Sequence, residues 1–450
     1  MTGDCEKDSA HEPEKDAASE RKMNVRRTAG MMRAVMLLSV AVTGWALAGD
    51  ANTLQPAATT DWPNWRGPNQ NGISTEKGWL TAWPKEGLKQ LWKADVGSGY
   101  SSVAVLGDNV YTLGNTKGQD TVICLNAATG EAVWKHTYPC TAKVIYGVTP
   151  RATPAVDGKA VYTMSVDGQV LCLDATSGKP IWSKDLQKDF NLPLPKSGFA
   201  GSPIVEGDML LVNAGVSGLA LDKKTGRTVW KSEGDTSYSS PVPFTLAGRR
   251  CVALFAATQL AVLNLADGVK IASYDWKTET CCNCSDPVIA GENIFITSSY
   301  GQGCALVGVG GGNATLIWKK KFACHYADPV LVGDCLYALF ETGWLKADLV
   351  CLNLKDGVEK WRQKNVGSGG IMVADGKLLI LSRTGDLILA EASPTAYTEL
   401  ARTKVFPEQI VAGKTNSVIC WTSPVLCNGR IYARGDQGTL VCLDAQGKNH

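Results

Sequence analysis

A hydrophobic strand, a turn and a tryptophan recur as one phrase along this chain. It reads CLNAATGEAVW at 124–134, CLDATSGKPIW at 172–182 and ALDKKTGRTVW at 220–230. Looser copies are VLNLADGVKIASYDW (262–276), VGVGGGNATLIW (307–318) and CLNLKDGVEKW (351–361). The tryptophans at 134, 182, 230, 276, 318 and 361 stand 42–48 residues apart. A period of that length, with strand and turn signals throughout, restricts the chain to a stacked or radial all-β array.

The remainder of each unit is equally regular. TPAVDGKAVYTM (153–164), SPIVEGDMLLVN (202–213), DPVIAGENIFIT (286–297), DPVLVGDCLYAL (328–339) and SPVLCNGRIYAR (423–434) each join two apolar runs through a turn. The Asp-Gly, Gly-Asp and Asn-Gly pairs supply the positive-φ positions of tight hairpins. Each unit therefore reads as four short antiparallel strands, one blade of a propeller. QLWK at 90–93 has no blade before it, and the last unit, 423–447, has no tryptophan strand after it. Together they make one blade. A further unit at 370–404 has strands but no tryptophan. The count is eight blades, latched by Leu91-Trp92 pairing with residues 412–447 over an all-β domain at 88–450.

The pattern x-L-[DN]-x-x-T-G-x-x-x-W resembles the tryptophan-docking repeat of the PQQ-like (quinoprotein) β-propellers. DWPNWRGPNQNGIS (61–74), PRATPAVDG (150–158) and YSSPV (238–242) resemble exported bacterial members. The resemblance covers about 61–447. That superfamily includes alcohol dehydrogenases and a β-barrel assembly lipoprotein, so the resemblance implies a fold and leaves the activity open.

Length agrees with a propeller. A chain of 450 residues exceeds the roughly 250–300 that one core supports, whereas blades bury their faces against neighbours. Net charge is +2 with no basic block, which gives nucleic-acid binding little electrostatic support. Helix-period patterning is almost absent beyond the N-terminus.

The N-terminus reads as an acidic extension (1–22) and a signal peptide (23–48). Arg26, Arg27 and Arg33 flank an apolar core, Ala34–Ala46, that is too short for a membrane span. Ala46-Leu47-Ala48 is a small-x-small cleavage site with no nearby cysteine. A periplasmic or secreted mature protein without a membrane span is expected. Residues 49–87 carry Trp62, Trp65, Trp79 and Trp83 among prolines and glycines. They read as a strap packed on the ring, or as an exposed aromatic docking surface.

Fifteen cysteines fall into classes. Cys124, Cys172, Cys351 and Cys442 share one repeat position inside an apolar strand and read as small core residues. TCCNCSDP and ACHYADP differ from these. Aligned on Asp-Pro, they set Cys282 opposite Cys324 and Asn283 opposite His325. Cys281, Cys282, Cys284, Cys324 and His325 would then meet near one seam between blades. Zinc or copper ligation, disulfides and free thiols all fit that composition. The resemblance adds that PQQ alcohol dehydrogenases carry a ring disulfide of adjacent cysteines over their cofactor.

The same alignment produces a second constellation. Strand starts face the central axis at one mouth of a propeller. That column reads Ser102, Thr153, Ser202, Ser240, Asp286, Asp328, Gly370, Ser423. Two residues earlier it reads Tyr100, Arg151, Ala200, Tyr238, Cys284, Tyr326, Ser368, Trp421. Tyr100, Arg151, Tyr238, Asp286, Tyr326, Asp328 and Trp421 are therefore expected at a ligand-binding mouth. Otherwise the aromatics cap the channel and the carboxylates bond to backbone N–H groups.

No nucleophile–base pair shows in the spacing, and no catalytic residue is assigned. The resemblance implies PQQ with calcium, held by Glu, Asn and Asp beside a catalytic Asp, but those motifs have no match in this sequence. The favoured reading is an exported non-catalytic propeller that binds a protein, peptide or glycan in the cell envelope. The alternative is a PQQ- or metal-dependent oxidoreductase similar to quinoprotein alcohol dehydrogenases.

Overall fold

The computed structural model describes residues 60–447, apart from 143, 146, 148, 279, 280, 344, 345, 408, 412, 413 and 417. The acidic extension, the signal segment and residues 49–59 lie outside the described residues, and so does the start of the segment expected to close the ring. Among the described residues, no helix is long and apolar enough to cross a membrane.

Among the described residues, eight antiparallel sheets of at least four strands follow one another along the chain, beside one two-stranded hairpin. Blade 1 spans Ala104–Leu106, Asn109–Thr116, Gln119–Asn126 and Ala132–Pro139. Blades 2 to 6 begin at Ala155, Ile204, Val242, Val288 and Val330. Blade 7 begins at Gly369. It gains a fifth strand from the strap, because Ile73–Ser74 pairs parallel with Val373 and Ala374. Blade 8 joins Val425–Cys427, Arg430–Arg434 and Thr439–Asp444 to the early strand Gln90–Asp95. Ring closure by a strand from the other end of the domain is therefore as expected. Among the described residues one short helix, Leu186–Phe190, interrupts the all-β pattern and is capped by the Asp185 carboxylate.

One register repeats in every blade. The outermost strand skips one residue in its pairing, so a bulge precedes the docking position. Such a bulge re-aims the next side chain. That side chain is Trp92, Trp134, Trp182, Trp230, Trp318 or Trp361 in six blades, paired with Cys442, Cys124, Cys172, Ala220, Leu306 and Cys351. The repeat cysteines are buried, as their shared strand position predicts. Trp276 does not belong to this column. Ala272 occupies the docking position of blade 4, opposite Val262, and Trp276 instead donates its indole N–H to Ser298 Oγ at 3.0 Å.

Each docked tryptophan ties its blade to the next. The indole N–H of Trp92 donates to Ala127 O, that of Trp134 to Ala175 O and that of Trp230 to Leu265 O, at 2.8–2.9 Å. Trp182, Trp318 and Trp361 do the same with Lys223, Leu354 and Ser393. The glycine of the turn ahead of the last strand is required beneath the ring of the preceding blade. A Cβ on Gly178, whose φ is +69°, would stand 2.4 Å from Trp134. Apolar side chains sort accordingly into clusters between adjacent blades. One joins blade 1 (Leu113, Cys124, Trp134) to blade 2 (Val161, Leu173), and another joins blade 5 (Phe295, Leu306) to blade 6 (Leu336, Val350).

A candidate aromatic mouth and a thiol–imidazole cluster

The strand-start column forms a girdle of hydrogen bonds around the axis. The N–H of Ser102 donates to Thr153 Oγ1, that of Thr153 to Ser202 Oγ and that of Ser202 to Ser240 Oγ, at 2.9–3.1 Å. The N–H of Ser240 then donates to Asp286 Oδ1, and that of Asp286 to Asp328 Oδ1, both at 2.6 Å. Each joint crosses from one blade to the next. A side-chain oxygen at the start of one strand thus satisfies a buried N–H in the preceding blade.

Asp286 and Asp328 consequently lie beneath the mouth and do not line it. Both are buried. Burial pushes both carboxyls up, Asp286 further because Asp328 is beside it, and Arg66 opposes the rise at both. Two residues of the strap complete them. Trp65 Nε1 donates to Asp286 Oδ2 at 3.0 Å. Arg66 pairs with Asp328 at 3.5 Å and donates to Pro329 O at 2.7 Å. The expected carboxylate pair is therefore bonded to backbone, an indole and a guanidinium. The strap lies outside the repeat, so no periodicity in the sequence points to Trp65 or Arg66.

Above this floor the second column converges. Tyr100, Arg151, Ala200, Tyr238, Cys284, Tyr326 and Trp421 surround a cavity of about 150 Å³, joined by Trp65, Ser197, Cys282 and Tyr300. Trp421 stacks with Tyr100, at a centroid distance of 4.6 Å, and with Tyr326, at 5.0 Å. The Arg383 guanidinium also lies 4.4 Å from the Trp421 ring. Offset stacking and a cation over the indole fix these rings. Tyr238 accepts the Ser197 N–H at 3.3 Å, and burial raises its phenol pKa. Arg151 donates to Thr149 O and Ile145 O at 2.9 Å, so it braces its own loop while lining the mouth. Tyr300 and Ser197 come from segments between the aligned columns and carry no repeat signal.

The five-membered S/N cluster reduces to three. Cys282, Cys284 and His325 hold their ligand atoms within 4.8 Å of one another. The two sulfurs are 3.4 Å apart. Cys324 does not join them: it is buried in the seam between blades 5 and 6, and its N–H donates to Thr297 Oγ1. Cys281 is also outside the group. Its φ of +53° turns the chain ahead of the column, and the next N–H, that of Cys282, bonds to Thr278 Oγ1. All described cysteines are free thiols. Hydrogen bonding from Cys284 brings the Cys282 thiol well below the usual thiol range, against the opposing effect of burial and with help from His325. His325 and Tyr300 also line a second cavity beside the first.

A family model described as outer membrane protein assembly factor BamB matches residues 76–145 and 118–363. Tetrathionate hydrolase of Acidithiobacillus ferrooxidans is 24% identical over 232 residues, 47% of this chain and 44% of its own length. BamB of Burkholderia pseudomallei is 26% identical over 185 residues, 40% of this chain and 45% of its own. The chain thus matches less than half the length of either relative. Quinohemoprotein alcohol dehydrogenase from Comamonas testosteroni superposes with a TM-score of 0.61 at 14% identity, over 87% of this chain and 81% of that one. At that identity the likeness is one of fold.

The residues present do not suit a quinone held with calcium. The two axial carboxylates are already bonded to N–H groups and Arg66.

Proposed function

The chain belongs to the PQQ-like β-propeller family, and from that membership we propose that it is an exported, non-catalytic binding propeller whose partner is a protein of the cell envelope. The mouth carries this reading. Its stacked Tyr100, Trp421 and Tyr326 rings present rigid aromatic surface around a cavity sized for one inserted side chain. Rigid aromatics give large contact area at small entropic cost. The girdle and strap hold the floor, so little ordering remains to oppose binding. Arg151 contributes positive charge at the rim, which favours an acidic or carbonyl-bearing partner group beside the inserted one. The family's description as an outer membrane protein assembly factor supports a protein as the partner. Export rests on the signal-like segment at 23–48.

Photo-crosslinking residues placed in cells at Ser197 and Ala200, and for comparison at the exposed outer-strand positions Val133 and Val229, test this function. One envelope protein should be captured from the mouth positions and lost with Tyr326→Ala plus Trp421→Ala. Equal capture from the outer strands would refute the mouth as the binding face. Alcohol-dependent dye reduction by protein incubated with the quinone and calcium would refute a non-catalytic role.

A further inference from the structure

Cys282 and Cys284 stand two apart on an extended segment, so both side chains take one side of the chain. Asn283, between them, faces the opposite way. Its Nδ2 donates to Ala256 O at 2.7 Å, and its Oδ1 accepts from Ser298 Oγ at 2.6 Å. These bonds fix the alternation, and both thiols line the mouth. His325 approaches from the lead-in to the next blade. It is 5% exposed, and the Cys282 thiol hydrogen-bonds to its ring. Its ligand atom and the two sulfurs lie within 4.8 Å of one another.

We infer that Cys282, Cys284 and His325 form a zinc site in the wall of the mouth. Two sulfurs and one nitrogen are donors that this borderline-soft ion takes. No carboxylate belongs to the set, which disfavours calcium and magnesium. Sulfurs sharing a tetrahedral ion at about 2.3 Å stand about 3.8 Å apart. The observed 3.4 Å needs only a few tenths of an ångström of opening. Three protein ligands leave a fourth position for water or a donor from outside, the arrangement of zinc sites that exchange a ligand. The ion takes both sulfurs as thiolates, so protons compete with it for the site. The metal binds whether or not the proposed partner does.

The test uses the full chain, purified under reductant and titrated with Zn²⁺ against a chromophoric chelator. Co²⁺ serves in parallel as a spectroscopic substitute. One ion per chain and a thiolate-to-cobalt charge-transfer band are expected. Cys282→Ser, Cys284→Ser and His325→Gln should each abolish stoichiometric binding with the circular dichroism unchanged. Cys281→Ser and Cys324→Ala should retain it. A wild-type chain that takes up no zinc overturns the inference. Retention of the ion by the Cys282→Ser plus Cys284→Ser double variant does so too, as does equal loss in Cys281→Ser. If His325→Gln fails to fold, the isosteric serine variants decide alone.

Discussion

Asp328 accepts the backbone N–H of Asp286 through Oδ1 at 2.6 Å, so the two axial carboxylates are joined head to tail across a blade boundary. The same Oδ1 accepts the Ser285 hydroxyl at 3.0 Å, and Oδ2 faces Arg66. Removing this side chain strands a buried guanidinium and two donors. Asp328→Ala is therefore expected to lose about 3–5 kcal/mol of stability. Asp286→Ser should lose less, because serine already fills this position as Ser202 and Ser240, where its hydroxyl accepts the same kind of N–H. Urea denaturation of both variants checks the order. An Asp328→Ala protein as stable as wild type would remove the girdle from the account of closure.

The turn glycines separate backbone strain from packing. Gly158 and Gly178 both have positive φ, +57° and +69°, but a Cβ meets nothing within 4 Å at the first and Trp134 at 2.4 Å at the second. Gly158→Ala should cost about 1–2 kcal/mol from the left-handed conformation alone. Gly178→Ala should cost about 1–3 kcal/mol more, from the collision with the indole. Adding Trp134→Ala to Gly178→Ala should relieve that excess, which a double-mutant cycle would read as coupling. Equal losses at the two glycines would contradict the packing role of Gly178.

Repetition made the fold legible and also set the limit of what could be read. Trp134 and Trp182 recur in one column, so docking follows from periodicity. Trp276 fell near the expected spacing and still lies outside the column, because Ala272 takes the position after the bulge. Spacing alone does not report a bulge. In blade 7 the position is Ala401, packed in the cluster that contains the strap's Trp79. The mouth was legible for the same reason: Tyr100, Tyr238, Tyr326 and Trp421 share one offset from the strand starts. Repetition also placed Asp286 and Asp328 correctly in the ring, but their role depends on Trp65 and Arg66, which lie outside every repeat. Cys324 aligns with Cys282 in sequence and not in space, because the turn at Cys281 redirects one lead-in and not the other.

Closure depends on the early strand. Gln90–Asp95 is the outermost strand of blade 8, with Trp92 opposite Cys442, and its indole reaches Ala127 in blade 1. Arg434 adds a second latch, donating to Ser101 O at 2.7 Å and Thr112 Oγ1 at 2.6 Å. Deleting 88–94 should bare the edge of Thr439–Asp444 to another chain. Light scattering on the eluted protein should then find concentration-dependent aggregates. A monomeric deletion variant with unchanged melting would show that the ring closes without the strand.

Asp120 supplies a pH dependence whose sign follows from its burial. It is fully buried in blade 1, accepts Asn115 Nδ2 at 2.6 Å and has the Cys140 thiol as a second hydrogen-bonding neighbour. Burial pushes its carboxyl up to about 6 from 3.8, against the lowering effect of Asn115 and Cys140. The folded state then holds the proton more tightly than the unfolded chain. Its contribution to stability is complete below about pH 4 and is lost as pH rises through 6. Asp120→Asn resembles the protonated form at every pH. At pH 8 the variant should exceed wild type by up to about 3 kcal/mol, from roughly two pKa units at about 1.4 kcal/mol each. The advantage should shrink to nothing near pH 4. Urea denaturation of both proteins across that range measures the difference directly, and a difference independent of pH would show that Asp120 folds as a carboxylate.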